Sequence, residues 1–222
     1  MAHLKAVIFD LDGTLVDSVS DLRAALNRVL ADHGRRAVND DEVTLMVGDG
    51  AAKLVERGFE VTGEPLPQAD VASVTETYLK IYDGEGAVMT KPFPGVIETL
   101  TTLKADGLKL AVCTNKPQGP SENILREFDM DQFFDAVVGG DALPVRKPDA
   151  GHVNGVLKML GVGKEEAIFV GDSPNDVAAA KNADLPVVAV SYGYTRIPPK
   201  DLGANVLIDN FDQLPGALKE LG

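Results

Sequence analysis

Residues 4–14, LKAVIFDLDGT, decide the fold of this chain. The first six are largely apolar, β-branched in part, and do not alternate with polar residues, as is typical of a strand covered on both faces in a parallel sheet. The run ends at Asp10 and Asp12, followed by Gly13. Ligands of open α/β sheets bind beyond the carboxyl ends of the strands. We therefore predict a buried strand that leads directly into a functional site.

Further apolar runs of similar length recur along the chain. They lie at residues 108–113, 135–138, 167–170, 185–190 and 206–208. Between them, apolar residues follow helical spacing, as at Val96, Leu100 and Leu103, and Gly107 supplies a stop. This alternation from about residue 94 onward predicts βα units and a doubly wound parallel sheet, that is, the α/β fold class.

Residues 17–83 interrupt this rhythm, because they carry helix signals and almost no strand signal. Asn39 followed by Glu42 is typical of a capping box at a helix start. Helices are predicted at 17–34, from 39 onward, at 51–58 and at 71–82. We therefore expect an α/β core made of 1–16 and 84–222, with an inserted helical cap at 17–83. The Gly- and Pro-rich stretch 83–95 is predicted to be a hinge.

Composition excludes several function classes. The 222 residues hold 21 Lys plus Arg against 34 Asp plus Glu, a net charge of −13, which disfavours nucleic acid and anionic lipid as partners. No apolar run approaches the ~20 residues that cross a bilayer. The single cysteine, Cys113, cannot form an internal disulfide, and with no signal-like N-terminus we expect a cytoplasmic protein. The oligomeric state is not indicated.

Polar residues follow the apolar runs at the positions where a parallel sheet would gather them. Asp10 and Asp12 follow the first run, residues 114–116 (Thr-Asn-Lys) the second, and Asp172 the run at 167–170. Lys147 lies in the loop after the third run. We predict that these four segments meet at one edge of the sheet.

The acidic residues in this set suit a divalent cation. Asp10 and Asp12 are two apart, so on an extended backbone their side chains point the same way. Asp172 and Asp176 would arrive from another strand and complete a set of oxygen ligands that suits Mg²⁺. Gly13 permits a tight turn and a close approach of backbone to ligand.

The same residues can carry out phosphoryl transfer. Asp10 can attack as a nucleophile, and Asp12 can protonate the leaving oxygen and then deprotonate water. The Thr114 hydroxyl and the Lys147 ammonium suit the oxygens of the transferred phosphate. Thr114 could instead cap the next helix, and Asp176 could be a helix N-terminal charge.

Four motifs in order resemble those of the haloacid dehalogenase-like phosphatases. They are residues 9–18 (FDLDGTLVDS), Thr114, residues 146–149 (RKPD) and residues 171–176 (GDSPND). The resemblance covers essentially the whole chain and includes a helical cap inserted after the first motif. It implies a Mg²⁺-dependent phosphohydrolase that acts through a phospho-aspartyl intermediate.

The resemblance also implies individual roles. Asp10 would be the nucleophile and Asp12 the general acid and base. Asp10, the Asp12 backbone carbonyl and Asp172 would bind Mg²⁺. Asp176 would orient a metal-bound water or Lys147 and not bind the metal directly.

Within this superfamily the chain is most similar to phosphoglycolate phosphatases, through residues 47–51 (VGDGA), 114–116 and 204–214. This implies a small phosphorylated metabolite as substrate, namely 2-phosphoglycolate. The substrate-binding residues would be Gly13, Gly48, Asp49, Gly50, Thr114, Asn115 and Lys147. Many relatives have Asn where Asp49 stands.

Other functions remain open at this point. Within enzymes, the alternatives are another small phosphomonoester, pyrophosphate, or phosphate transfer on a sugar. From a different class, a phospho-acceptor signalling module would also use an Asp, a Thr and a Lys on a doubly wound sheet. Such modules carry the phosphorylated Asp later in the chain and lack a helical insert after the first strand.

Overall fold

The computed structural model describes residues 4–222 of the chain. This part contains eight strands: β1 Ala6–Phe9, β2 Val16–Asp17, β3 Lys91–Pro92, β4 Lys109–Cys113, β5 Ala136–Val138, β6 Ala167–Gly171, β7 Val187–Val190 and β8 Val206–Ile208. It also contains nine α-helices: α1 Val19–Asp32, α2 Asp40–Thr44, α3 Ala51–Thr62, α4 Val71–Glu85, α5 Val96–Ala105, α6 Gln118–Glu127, α7 Ala150–Leu160, α8 Pro174–Asn182 and α9 Leu214–Leu221. Residues 1–3 of the predicted core lie outside the described part.

Six strands form one parallel sheet in the order β5-β4-β1-β6-β7-β8. All six correspond to predicted apolar runs, and their ends differ from the predicted bounds by at most two residues. β1 lies in the interior of the sheet, where Phe9 is level with Val112 on one side and Val170 on the other. The predicted α/β class is confirmed.

Helices cover both faces of this sheet. Side chains alternate along each strand, so Phe9 enters the apolar cluster under α5, α6 and α9, whereas Ile8 enters the cluster under α7 and α8. Both side chains are fully buried. Burying a side chain of this size contributes roughly 1.5–3 kcal/mol, and the unbroken apolar runs reflect this two-sided burial.

Helices α1 to α4 form a third apolar cluster, which lies over the carboxyl edge of the sheet. Its largest buried side chains include Leu26, Phe59 and Tyr78. The predicted capping box is present, since Asn39 Oδ1 accepts from the Glu42 N–H at 2.9 Å and the Glu42 carboxylate accepts from the Asn39 N–H at 3.0 Å.

Helix α3 continues beyond Gly58, where the sequence indicated an end, and stops at Gly63. Gly58 allows α3 to approach α1 closely, because a Cβ there would lie 2.9 Å from the Leu26 side chain. The glycine therefore serves helix packing in the interior of α3.

The two chain segments that join the helical insert to the sheet pair with each other. β2 and β3 form a short antiparallel ribbon in which Val16 is level with Pro92. The buried carboxylate of Asp21 accepts hydrogen bonds from the backbone N–H groups of Met89 and Thr90 and from the Thr90 hydroxyl. These contacts fix the returning chain inside the stretch predicted as a hinge. Helix α4 runs to Glu85, past the predicted cap boundary at residue 83.

Within residues 4–222, none of the helices combines the length and the apolar character needed to span a membrane.

Candidate functional site

The carboxyl ends of three adjacent strands define the candidate site. Asp10 follows β1, Thr114 follows β4 and Asp172 follows β6, and β1 lies between the other two strands. The Asp10 N–H extends the ladder by donating to the Val170 carbonyl at 2.9 Å. Sheet pairing therefore brings together residues that are far apart in sequence.

Lys147 reaches this edge from the loop between β5 and α7. Its Nζ lies 2.9 Å from Asp10 Oδ1 and 2.6 Å from Asp176 Oδ1. All three side chains are buried. One oxygen from each of Asp10, Asp172 and Asp176 lies within 4.8 Å of the others. Three carboxylates and one ammonium thus share a volume that is largely shielded from solvent.

The charges of this cluster do not balance. Burial, with the nearby charge of Asp176, raises the pKa of Asp10 from 3.8 to about 7. Burial, together with Asp176 and Asp10, also raises the pKa of Asp172 well above its usual range. The pKa of Lys147 is raised, because Asp10 and Asp176 outweigh the opposing effect of burial. Three carboxylates against one ammonium leave two negative charges, and a divalent cation would balance them. The donor set therefore fits a hard divalent metal ion.

The start of helix α8 holds Asp176 and Asp172 in place. Ser173 caps the helix, and its hydroxyl and N–H both donate to Asp176 Oδ2, at 2.7 and 2.9 Å. Asp176 Oδ2 also accepts from the Asp172 N–H at 3.1 Å. Because its other oxygen accepts from Lys147, Asp176 links the helix start to the lysine. The sequence predicted that Asp176 orients either a metal-bound water or Lys147, and the structure shows the contact with Lys147.

Gly13 lies against Asp172 and does not line the cavity described below. Its φ of +84° is in the left-handed region, and a Cβ at this position would overlap the Asp172 carboxylate. The structure therefore places Gly13 where it admits the Asp172 side chain, and its predicted contact with substrate stays a prediction.

Asp12 points toward a second lysine that sequence reasoning had quoted but given no role. The Lys116 Nζ lies 3.2 and 3.3 Å from the two oxygens of Asp12, and it donates to the Tyr82 hydroxyl at 2.8 Å. Ser18 Oγ donates to Asp12 Oδ1 at 2.5 Å. The sequence feature that could have indicated this role is a lysine in the loop after β4, because β4 lies beside β1 in the sheet.

Thr114 and Asn115 lie on the same loop and line the cavity. The Thr114 hydroxyl oxygen accepts from the Lys116 N–H at 3.2 Å. Asn115 Nδ2 donates to the Gly48 carbonyl at 2.9 Å and to the Lys147 carbonyl at 3.0 Å. Asn115 therefore ties the helical insert and the Lys147 loop to the sheet edge.

Asp49 does not reach the cavity, although Gly48 and Gly50 on either side line it. Its carboxylate is held by Arg57, Arg196 and Asn175. These hydrogen bonds overcome the effect of partial burial and lower the pKa of Asp49 to about 2. Asp49 thus fastens the 45–50 loop to the core, and its predicted contact with substrate stays a prediction.

A small cavity of about 50 Å³ lies between the helical insert and the sheet edge. At its sheet end are polar residues: Asp10, Asp12, Thr114, Asn115 and Lys116. The helices contribute mostly apolar or aromatic side chains: Leu22, Val47, Leu54, Tyr78, Leu79 and Tyr82. Such a cavity suits a small molecule with one strongly anionic end.

The fold and the site together define an α/β protein whose acidic centre lies at a sheet edge under a helical insert. Residues 7–190 match the haloacid dehalogenase-like hydrolase family. The chain belongs to this family, and the predicted resemblance is confirmed.

Curated relatives are similar over almost the full length. The chain is 43% identical over 211 residues to the phosphoglycolate phosphatase of Caulobacter vibrioides, covering 95% of this chain and 89% of the relative. It is 44% identical over 216 residues to the phosphoglycolate phosphatase of Rhodospirillum rubrum, with coverages of 95% and 89%. The crystal structure of a predicted phosphoglycolate phosphatase from Haemophilus somnus superposes with a TM-score of 0.92 at 32% identity, covering 98% of this chain and 99% of that one.

Proposed function

We propose that this protein is a Mg²⁺-dependent phosphoglycolate phosphatase that hydrolyses 2-phosphoglycolate to glycolate and phosphate through a phospho-aspartyl intermediate. One observation carries the proposal: Asp10, Asp172, Asp176 and Lys147 form a buried cluster, and Asp10 of this cluster also lines a small cavity. The names of relatives that match over almost the full length support 2-phosphoglycolate as the substrate. The two unbalanced negative charges support binding of a divalent cation.

Asp10 is the proposed nucleophile. Its Oδ1 is occupied by the Leu11 N–H at 2.8 Å and by Lys147 at 2.9 Å, and no described residue donates to Oδ2. Oδ2 is therefore the oxygen available for attack. As its bond to phosphorus forms, the ester P–O bond breaks and the electron pair stays on the glycolate oxygen.

Asp12 is the proposed general acid and base. It lines the same cavity as Asp10, and its carboxyl would give a proton to the departing glycolate oxygen. It would then take a proton from a water molecule that attacks phosphorus. The bond between phosphorus and Asp10 breaks, which releases phosphate and restores both carboxyl groups.

Lys147 and Thr114 would hold the phosphate oxygens while these bonds change. The Lys147 ammonium already contacts Asp10 Oδ1, so it lies beside the position where the phosphate must bind. Asp10, the Asp12 backbone carbonyl and Asp172 would hold Mg²⁺, which when bound neutralises charge on the phosphate. Asp176 would keep Lys147 in position through the 2.6 Å contact.

We further propose that 17–83 acts as a cap on a core of 1–16 and 84–222. The β2–β3 ribbon is the connection about which it would open and close. Closure over the cavity would exclude water from the reacting phosphate.

Phosphate release from a panel of small phosphate esters, with MgCl₂ and with excess chelator, tests the proposal. We expect turnover of 2-phosphoglycolate that is abolished by chelator, and a loss of several orders of magnitude in Asp10→Asn. The exposed Asp106→Asn is the matched control and should retain activity. Efficient turnover of sugar phosphates with none of 2-phosphoglycolate would refute the substrate. A long-lived aspartyl phosphate without multiple turnovers would instead indicate a signalling module.

A further inference from the structure

Two cap tyrosines and one core lysine meet at the wall of the cavity. Tyr78 and Tyr82 are one turn apart on α4, and their rings stack with centroids 6.1 Å apart. The Lys116 ammonium lies 4.3 Å from the Tyr82 ring centroid and donates to its hydroxyl. All three residues line the cavity.

The Tyr78 hydroxyl has no hydrogen-bond partner within residues 4–222, although the side chain is 1% exposed. A buried hydroxyl without a partner is unfavourable, and native structures rarely keep one without a reason. The pKa of Tyr78 is raised by burial and also by Tyr82 and Asp12. The Tyr78 hydroxyl is therefore an unused donor in a side chain that lines the same cavity as Lys116 and Asp12.

Lys116 also retains capacity for a ligand. Among the described residues that line the cavity, it is the only one with a cationic side chain. Its distances to the Asp12 oxygens, 3.2 and 3.3 Å, are longer than the roughly 2.7–2.9 Å of a tight charge-assisted hydrogen bond. An ammonium has three donors, and the two that point to Asp12 make only these long contacts, so the anionic group of a ligand could take one of them.

The neighbouring wall limits what else could bind at this end. Leu22, Leu54 and Leu79 offer no hydrogen bonds, so the hydroxyl groups of a sugar would lose their water without compensation. A short tail with a single negative charge would instead meet one ammonium and one free hydroxyl donor. A carboxylate matches this pair in charge and in the number of acceptors.

We propose that Lys116 and Tyr78 are specificity-determining residues that bind a carboxylate on the phosphate ester. The inference rests on the proposed phosphatase function and deepens it, because it assigns the second anionic group of the substrate to named side chains. Since Tyr78 belongs to the cap and Lys116 to the core, a carboxylated substrate holds the two together.

The test compares two esters of equal length, 2-phosphoglycolate and 2-hydroxyethyl phosphate, in which CH₂OH replaces the carboxylate. The measured quantity is the ratio of their kcat/KM values in the Mg²⁺-loaded protein. We expect the wild type to favour the carboxylate by at least about 100-fold. Lys116→Met should lower the ratio by about 100-fold, and Tyr78→Phe by about tenfold. Lys80→Met, a change on the exposed face of the same helix, should leave the ratio unchanged.

Stability separates recognition from a structural role. Because the Tyr78 hydroxyl has no partner, Tyr78→Phe should leave the Tm unchanged or raise it while lowering the ratio. An equal loss of kcat/KM on both esters in the two variants would overturn the inference. It would mean that Lys116 and Tyr78 act only by positioning Asp12 or by stabilising the fold. Equal wild-type turnover of both esters would also overturn it but leave the phosphatase standing. Turnover of neither ester would defeat the proposed function itself.

Discussion

Replacing the proposed nucleophile by its amide should stabilise the metal-free protein at alkaline pH. In chelator, the Asp10 carboxylate shares a buried cluster with Asp172 and Asp176 against the single ammonium of Lys147. Burial and the Asp176 charge both oppose its ionisation. Asp10→Asn keeps the shape and an oxygen that can accept from the Leu11 N–H, but it removes the charge.

The size of the effect follows from proton linkage. The pKa of Asp10 rises from 3.8 to about 7 on folding. Below pH 3.8 this carboxyl is protonated in both the folded and the unfolded state, so it costs no folding stability there. As pH rises from 3.8 to 7, the unfolded state ionises while the folded state holds its proton, and stability falls. At about 1.36 kcal/mol per pKa unit, the wild type loses ~1.5 kcal/mol by pH 5 and about 4 kcal/mol by pH 8. For a chain of this length, about 4 kcal/mol corresponds to roughly 8–16 °C in Tm.

The assay is thermal unfolding of wild type and Asp10→Asn in chelator from pH 4 to pH 8, with exposed Asp106→Asn as control. The variant and the wild type should have the same Tm at pH 4, and the Tm of the variant should be about 10 °C higher at pH 8. Added Mg²⁺ should raise the Tm of the wild type more than that of the variant, because metal binding requires the carboxylate. If Asp10→Asn is less stable than the wild type at pH 8 in chelator, the charge imbalance argument is wrong.

Three further outcomes follow from other contacts. His152 accepts from the Lys147 N–H, and burial together with the Lys147 charge lowers the pKa of His152 to about 4. As pH falls from 6.5 to 4, the histidine of the unfolded state gains a proton before that of the folded state, so the wild type should lose about 3 kcal/mol of stability relative to His152→Gln. Urea unfolding midpoints of the two proteins measure this loss. Arg196→Ala removes one of the three partners of Asp49 and a hydrogen bond to the Leu45 carbonyl, which loosens the 45–50 loop. KM should therefore rise about tenfold with little change in kcat if the closed form becomes a minor population. Gly13→Ala forces a left-handed φ on alanine and displaces Asp172, so kcat/KM should fall at least ~100-fold; near-normal phosphate release would contradict that packing.

Much of the site could be predicted because the carboxyl ends of all strands in a parallel sheet lie at the same edge. The strands β1, β4 and β6 are each followed directly by a polar residue, namely Asp10, Thr114 and Asp172. The requirement to cover both faces of every strand makes such runs visible in the sequence. For the same reason the fold class and the convergence of four segments could be stated before any coordinates were known.

The residues that sequence reasoning placed differently or missed depend on packing between distant segments. Asp49 was predicted to contact the substrate, and its ion pairs with Arg196 and Arg57 could not be foreseen from the sequence. Lys116 received no role, because its partners Asp12 and Tyr82 come from the core and from the cap. No local pattern in the sequence records which way these side chains turn.

The sequence by itself determined which segments form strands and helices and which residues stand at the strand ends, because these depend on hydrophobic periodicity and local turn chemistry. Only the tertiary structure decided the strand order, which sets β1 between β4 and β6, and the fit of α4 over that edge. The physical reason is that charge balance around Asp10 and the unpartnered hydroxyl of Tyr78 are properties of groups that meet only after the chain has packed.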